Sequence, residues 1–205
     1  MGLYENKVFP WLLDVTEPNE MAEQRHLLLR DVQGEILEIG IGTGVNLSFY
    51  PKQVGVLTAI EPSEAMHARA MHRADASSIK VIWVSGHGEQ LPFEGELFDT
   101  IVISDVLCTV GNVDAVLNEA YRVLKPGGRL HFLEHGLSNE GNIKKWQIRL
   151  NSLSKVIACG CELTRNIETN IRGSSFKIEE LVQVPPFTGI NILYPHIRGV
   201  AIKPF

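Results

Sequence analysis

The chain has 205 residues, of which 44% are hydrophobic and 21% are charged. This composition predicts a single domain over residues 1–205 and excludes both an intrinsically disordered chain and a polytopic membrane protein. The net charge of −5 gives no bulk attraction for phosphate backbones, so we expect no nucleic-acid partner.

The N-terminal segment has neither the basic start nor the unbroken apolar run of a signal peptide or membrane anchor. We therefore expect a cytoplasmic protein without a membrane span. Three aromatic residues, Tyr4, Phe9 and Trp11, precede the first strand. We interpret residues 1–30 as a helical lid that closes over a ligand, and we expect Tyr4 to contact that ligand.

Short runs rich in β-branched residues alternate with stretches that have helical or loop character. The predicted strands are Ile36–Ile39, Val56–Ile60, Lys80–Val84, Thr100–Ser104 and Arg129–Glu134. This order predicts an α/β, Rossmann-like fold, in which a mostly parallel sheet carries helices on both faces. The ligand of such a sheet lies at the carboxyl ends of its strands.

Further elements follow from apolar periodicity. Asn112–Leu124 has apolar residues at helical spacing, and so has most of Asn142–Ala158. The second helix belongs to a helical segment, residues 136–175, that we expect to lie over the site. Lys177–Val184 and Arg198–Ile202 alternate like strands and predict antiparallel edge strands at the C-terminus.

Three alternating glycines, Gly40, Gly42 and Gly44, follow the first strand directly. Such a backbone can bend sharply and approach a ligand where any Cβ would collide. The nicotinamide fingerprint requires a further glycine, but Val45 and Leu47 occupy the two positions where it would stand. A Walker loop is excluded as well, because no Gly-Lys-Ser or Gly-Lys-Thr sequence occurs.

An acidic residue, Glu61, ends the second strand 17 positions after Gly44. A carboxylate at this place can accept hydrogen bonds from both hydroxyls of an adenosine ribose. A glycine loop and a ribose-binding acid without a pyrophosphate site indicate S-adenosylmethionine, whose cationic sulfonium also favours acidic surroundings. The alternative is a tight turn followed by a solvated glutamate.

These motifs resemble those of the class I S-adenosylmethionine-dependent methyltransferases over about residues 30–135. The similar segments are Glu38–Gly44, Glu61, the adenine-side loop Gly86–Phe93, the fourth strand from Phe98 to Ser104, and the turn Leu124–Gly128. The resemblance implies S-adenosylmethionine as cofactor and S-adenosylhomocysteine as product. It implies these cofactor-binding residues: Glu38, Gly40, Gly42, Gly44, Glu61, Pro62, His87, Gly88, Glu89 and Ser104, with Tyr4 added from the lid.

One position departs from the family pattern, because the adenine-side loop often carries Asp where this chain has His87. Recognition of the adenine amino group then passes to backbone atoms or to Glu89. The alternative for His87 is an exposed loop residue without a contact to the adenine.

The acceptor of the methyl group is indicated by the C-terminal half. Leu133–His135, Gly160–Arg165 and Pro195–Gly199 resemble a branch that includes mammalian thiol S-methyltransferases and bacterial relatives labelled phospholipid or quinone methyltransferases. The mammalian relatives have an apolar membrane anchor, and we expect none in this chain. This difference favours a soluble small acceptor, and among such acceptors we expect a thiol. An amine, a phospholipid, a quinone, or a catalytically silent cofactor-binding protein are the alternatives.

A DNA amino group is disfavoured as acceptor, because Ser104–Cys108 lacks the Asn/Asp-Pro-Pro-aromatic signature of DNA amino-methyltransferases. His135 ends the fifth strand and is our candidate for orienting or deprotonating the acceptor. The alternative is a histidine bonded to the loop that follows. Asp105 ends the fourth strand and contacts either the acceptor or the sulfonium, unless it only caps a turn.

Three cysteines, Cys108, Cys159 and Cys161, are too few for a disulfide framework. Cys159 and Cys161 are separated by one residue, which is not the spacing of a zinc knuckle, so we expect no metal. Cys108 and Cys161 are interpreted as small buried hydrophobic residues. Convergence of all three thiols on a soft metalloid is the weaker alternative.

Overall fold

The computed structural model describes residues 2–16, 18–187 and 193–205. The strands are β1 Ile36–Ile39, β2 Val56–Ile60, β3 Lys80–Val84, β4 Phe98–Ser104, β5 Leu124–His135, β6 Lys177–Gln183 and β7 His196–Ile202. The α-helices are α1 Phe9–Thr16, α2 Asn19–Leu29, α3 Glu64–Asp75, α4 Val113–Val123, α5 Gly141–Ile157 and α6 Ile167–Gly173. A π-helical turn at Tyr4–Val8 and a 3-10 turn at Val45–Ser48 complete the helical elements of this part of the chain.

The strands form one seven-stranded sheet in the order β3-β2-β1-β4-β5-β7-β6. The first five are parallel, and β7 pairs antiparallel with both β5 and β6. The predicted Rossmann-like fold with antiparallel C-terminal strands is therefore confirmed. Of the two antiparallel strands that were expected at the edge, only β6 lies there, and β3 forms the other edge of the sheet. Because β7 is mostly buried, it suits the interior place between β5 and β6.

Helices cover both faces of the sheet because successive residues of each strand point to opposite sides. In β1, Leu37 belongs to a buried cluster that contains Val116 of α4, whereas its neighbour Ile36 packs in a cluster with Leu28 and Leu29 of α2. All four residues of β1 are buried. This two-sided packing explains why the strand reads as an uninterrupted apolar run apart from one glutamate.

The predicted helices are present with shifted ends. The side chain of Asn112 accepts a hydrogen bond from the Ala115 amide at 3.1 Å and caps α4, which therefore begins one residue later than predicted. Leu124 already pairs with Phe98, so β5 begins well before the predicted strand. Within the described ranges, no helix has both the length and the apolar character that crossing a bilayer requires.

Candidate active site

The glycine loop lies where β1 and β4 are neighbours in the sheet, which is the place where the strand order reverses. Gly40 has φ +70°, and a Cβ added there would lie 2.5 Å from Cγ2 of Val106. Gly44 has φ +81°, and its added Cβ would lie 2.9 Å from Cα of Ala70. Both positions therefore exclude a side chain by space as well as by conformation.

Gly42 differs from its two neighbours because it borders open space. Its φ is +58°, yet the nearest atom to an added Cβ is the Gly40 carbonyl oxygen at 4.0 Å. The loop thus presents bare backbone on its open side, and an adenosyl cofactor can approach the main chain closely there. The residues present fit the cofactor that the sequence predicts.

Glu61 faces this loop from the end of β2. One carboxylate oxygen accepts from the Gly42 amide at 2.9 Å, and the other accepts from the Ser63 amide at 2.8 Å. Burial raises the pKa of Glu61, and the two amide hydrogen bonds oppose that rise. A carboxylate offers about four lone-pair sites, so each oxygen retains capacity for one ribose hydroxyl.

Glu38 is buried behind the glycine loop and bonded to two side chains that follow it. Its side chain is 1% exposed, and its oxygens accept from Asn46 Nδ2 at 2.7 Å and from the Tyr50 hydroxyl at 2.8 Å. The carboxyl group therefore fixes the segment that follows the glycine loop. Its contact with the cofactor stays a prediction.

We expect the buried Glu38 to make folding stability depend on pH. Burial raises its pKa to about 7 from an ordinary value of 4.5. Because the folded-state pKa is the higher one, Glu38 contributes its stabilisation fully below pH 4.5 and loses it as pH rises through about 7. The wild type should therefore lose more free energy of unfolding than Glu38→Gln between about pH 5 and about pH 8, measured by urea denaturation.

The matched control for this experiment is Glu35→Gln, which makes the same chemical change at an exposed position just before β1. Its pH dependence should parallel that of the wild type. If the free energy of unfolding changed equally with pH in Glu38→Gln and in the wild type, this would contradict a raised pKa of Glu38.

The adenine-side loop is held close to the sheet by Gly88, where an added Cβ would lie 2.9 Å from Cγ2 of Ile39. Glu89 accepts a hydrogen bond from the Gly111 amide at 2.9 Å, which ties this loop to the segment after β4. His87 and Pro62 are exposed. The cofactor contacts of all four residues stay predictions.

Sequence reasoning missed Arg25 of α2, which joins the glycine loop to the end of β4. Its guanidinium donates to Asn46 Oδ1 at 2.9 Å and to the Ser104 hydroxyl at 2.7 Å, and it pairs with Asp105 at 3.4 Å. Ser104 is thus tied to the turn that follows the glycine loop, and its contact with the cofactor stays a prediction. No spacing in the sequence connects Arg25 to these partners, which lie up to 80 positions away.

Asp105 is paired with a second residue that we did not single out, His196 of β7. The distance from His196 Nε2 to Asp105 Oδ1 is 3.2 Å. Burial alone would raise the pKa of Asp105, but His196 and Arg25 lower it below the usual range. The carboxyl group is therefore ionised at neutral pH and can orient the imidazole.

His135 faces a cysteine. Its Nε2 lies 2.9 Å from Sγ of Cys161, and its ring lies 5.9 Å from the ring of His196, centroid to centroid. The partner is thus on a distant segment, the turn after α5. The proposed role of His135 toward an acceptor stays a prediction, and the cysteine contact was not anticipated.

The N-terminal segment flanks the site through polar contacts. Asp14 of α1 accepts from the Thr43 hydroxyl at 2.8 Å, within the glycine loop, and pairs with Arg69 and Arg73 of α3. The Tyr4 hydroxyl donates to the Ile157 carbonyl at 2.5 Å, at the end of α5. The lid and the cofactor contact of Tyr4 stay predictions.

The doubly wound sheet, the open glycine loop and the acid at the end of β2 define an S-adenosylmethionine-dependent methyltransferase. Comparisons with known proteins agree, since the family described as a methyltransferase domain matches residues 37–132. The chain is also 33% identical over 186 residues to the thiol S-methyltransferase TMT1B of Rattus norvegicus, covering 85% of this chain and 75% of the relative. The chain belongs to the class I S-adenosylmethionine-dependent methyltransferases.

Two further relatives are named for a thiol and for a quinone acceptor, respectively. Thiol S-methyltransferase TMT1A of Homo sapiens is 28% identical over 222 residues, 99% of this chain and 90% of the relative. The ubiquinone/menaquinone biosynthesis C-methyltransferase UbiE of Cereibacter sphaeroides is 39% identical, but over 104 residues, 49% of this chain and 42% of the relative.

Solved structures support the fold. A geranyl diphosphate methyltransferase in complex with S-adenosylmethionine superposes with a TM-score of 0.70 at 17% identity, covering 99% of this chain and 91% of that one. An S-adenosylmethionine-dependent methyltransferase from Thermotoga maritima gives a TM-score of 0.71 at 21% identity, with 98% and 97% coverage. Membership of the family makes S-adenosylmethionine the cofactor of this chain, as predicted.

Proposed function

We propose that the chain transfers the methyl group of S-adenosylmethionine to the sulfur of a small thiol. The observation that carries this proposal is the extent of the similarity. The match to a thiol S-methyltransferase covers 85% of the chain and therefore reaches beyond residues 37–132, whereas the match to a quinone C-methyltransferase covers 49%. The C-terminal part supplies Cys161, which lies beside His135, and His196, which lies beside Asp105.

Asp105, His135 and His196 form what we call the acceptor side of the site, and this side suits a thiol. The bound cofactor supplies an electrophilic methyl carbon, and the nucleophile must be a thiolate aligned with it at about 3 Å. A free thiol has a pKa of about 8.5, so a base of moderate strength can remove its proton and leave a nucleophilic thiolate. In this proposal His196, which the Asp105 carboxylate orients at 3.2 Å, takes that proton as a general base.

Atoms and charges balance without a further reactant. The thiol proton passes to His196, the thiolate forms the new bond to the methyl carbon, and the bond from that carbon to the sulfonium breaks. The products are a methyl thioether and neutral S-adenosylhomocysteine. The proton on His196 is released to solvent after the products leave.

Acceptors that share one carbon skeleton test this proposal. We would measure release of S-adenosylhomocysteine with 2-phenylethanethiol, 2-phenylethylamine and 2-phenylethanol, and with a hydroquinone. The thiol should react at least about 100-fold faster than the amine or the alcohol, because only the thiol is appreciably ionised to a nucleophile near neutral pH. Preference for the amine or the hydroquinone would contradict a thiol acceptor. Binding of S-adenosylhomocysteine without turnover of any acceptor would indicate a silent cofactor-binding protein.

A further inference from the structure

Three potential metal ligands meet beside the proposed acceptor site. Cys108 follows β4, His135 ends β5, and Cys161 follows α5, and their ligand atoms all lie within 4.8 Å of one another. The three residues are 2%, 4% and 5% exposed. They come from distant parts of the chain, so the fold and not a local motif creates the cluster.

The geometry of the cluster suits a cation. The Nε2 atom of His135 lies 2.9 Å from Sγ of Cys161, and the Sγ atom of Cys108 lies within 4.8 Å of both. Binding of a metal ion to cysteine and histidine releases protons, so an ion can take the place of the protons that these side chains share.

The polypeptide around the cluster is held in place by further hydrogen bonds. Glu134 accepts from the Val106 and Leu107 amides at 2.8 and 2.9 Å, and thereby fixes the turn that carries Cys108. The Glu162 amide donates to the Cys108 carbonyl at 2.9 Å, which joins the two cysteine-bearing turns. Backbone contacts of this kind keep the two cysteine-bearing turns in place while the side chains adjust to an ion.

We propose that Cys108, His135 and Cys161 form a binding site for one Zn²⁺ ion. Two sulfurs and one imidazole nitrogen select a thiophilic ion, and three protein ligands leave the fourth tetrahedral position open. With Zn–S near 2.3 Å and Zn–N near 2.05 Å, His135 Nε2 and Cys161 Sγ would be about 3.6 Å apart. They now lie 2.9 Å apart, so a small side-chain shift accommodates the ion.

The open position gives the ion a role that rests on the proposed function. His135 lies next to His196 and hence to Asp105, so the cluster adjoins the residues that we propose to act on the acceptor. The sulfur of an acceptor thiol would bind there as a thiolate, and its proton would pass to His196. The sequence expectation of no metal considered the spacing of Cys159 and Cys161, whereas Cys159 is not part of this cluster.

Cobalt titration of the protein without cofactor or acceptor tests the site. We would strip the purified chain with a chelator and add Co²⁺, whose thiolate charge-transfer absorption reports cysteine ligation. The wild type should bind one Co²⁺ per chain and exchange it for Zn²⁺ with a rise in melting temperature. Cys161→Ser should weaken Co²⁺ binding by more than about 100-fold, since losing a group behind a ligand already costs about 10–100-fold.

Cys159→Ser is the matched control, because it removes a thiol two residues away that lies outside the cluster. It should bind Co²⁺ like the wild type. Absence of a thiolate-to-cobalt band in the wild type would overturn the proposal, and so would equal losses in Cys159→Ser and Cys161→Ser. The wild-type result decides even where a variant fails to fold. No acceptor is present in the cobalt titration. Cobalt binding can therefore be observed when thiol methylation is not, and thiol methylation can be observed when cobalt binding is not.

Discussion

Replacement of Glu61 by Ala should weaken binding of S-adenosylhomocysteine by more than about 100-fold. The carboxylate retains one free lone pair on each oxygen after accepting from Gly42 and Ser63. Each hydrogen bond to a charged acceptor contributes about 1.5–3 kcal/mol, and two ribose hydroxyls would use these sites. A loss of about 3 kcal/mol corresponds to slightly more than 100-fold in affinity. Isothermal titration calorimetry measures it directly.

Two further variants separate this effect from damage to the loop. Glu64→Ala removes an exposed carboxylate one helical turn away, in the first turn of α3, and should bind like the wild type. Glu61→Gln keeps the size of the side chain but replaces one acceptor oxygen by an NH2 group that cannot accept from an amide, so it should lose part of the affinity and lower the melting temperature less than Glu61→Ala does. Unchanged affinity in Glu61→Ala would show that the ribose lies elsewhere.

The second large effect concerns Asp105. Asp105→Asn should lower kcat by about 100- to 1,000-fold, because it removes the carboxylate that orients the proton acceptor His196, and general-base catalysis contributes about 100- to 10,000-fold. Asn is chosen because Asp105 has φ +55°, a left-handed conformation that Asn tolerates better than Ala. The amide cannot stabilise a protonated His196 as the carboxylate does. Steady-state kinetics with the best thiol gives the measurement.

Controls distinguish the acceptor side from the cofactor. Asp75→Asn, at the exposed end of α3, should leave kcat unchanged. Binding of S-adenosylhomocysteine should be unaffected in Asp105→Asn. If Asp105 instead contacts the sulfonium, S-adenosylmethionine binds more weakly while the neutral product does not. A kcat within about twofold of the wild type would remove Asp105 from the reaction.

A double variant tests whether Asp105 and His196 act as one unit. If His196 takes the proton only with the help of Asp105, then Asp105→Asn combined with His196→Asn should be no slower than the worse single variant. Additive losses would mean that the two residues contribute separately.

The strands of the sheet and the cofactor loop could be predicted because their determinants are local. A parallel strand covered on both faces must be almost wholly apolar, as Val56–Ile60 and Phe98–Ser104 largely are. The glycines are needed wherever φ is positive and a Cβ would collide, so the loop is recognisable from Gly40 and Gly44 alone. These constraints act over a few residues and remain visible in a linear sequence.

The acceptor side of the site was predicted only in part. Asp105 and His135 follow strands, so a general rule about strand ends indicated them. Their partners Arg25, His196 and Cys161 lie on other elements, at 80, 91 and 26 positions along the chain. His196 stood in a run that resembled the family, but nothing local gave it a role.

The sequence by itself therefore determined the α/β sheet and the glycine loop, since each follows from periodicity or from steric limits between neighbouring residues. The cofactor followed from Glu61 after the second strand and from the resemblance to the family. Only the tertiary structure brought Cys108, His135 and Cys161 together and placed His196 on Asp105. The physical reason is that hydrogen bonds and metal ligation act over a few ångströms in space, whatever the distance along the chain. The order β5-β7-β6 decides which side chains meet there.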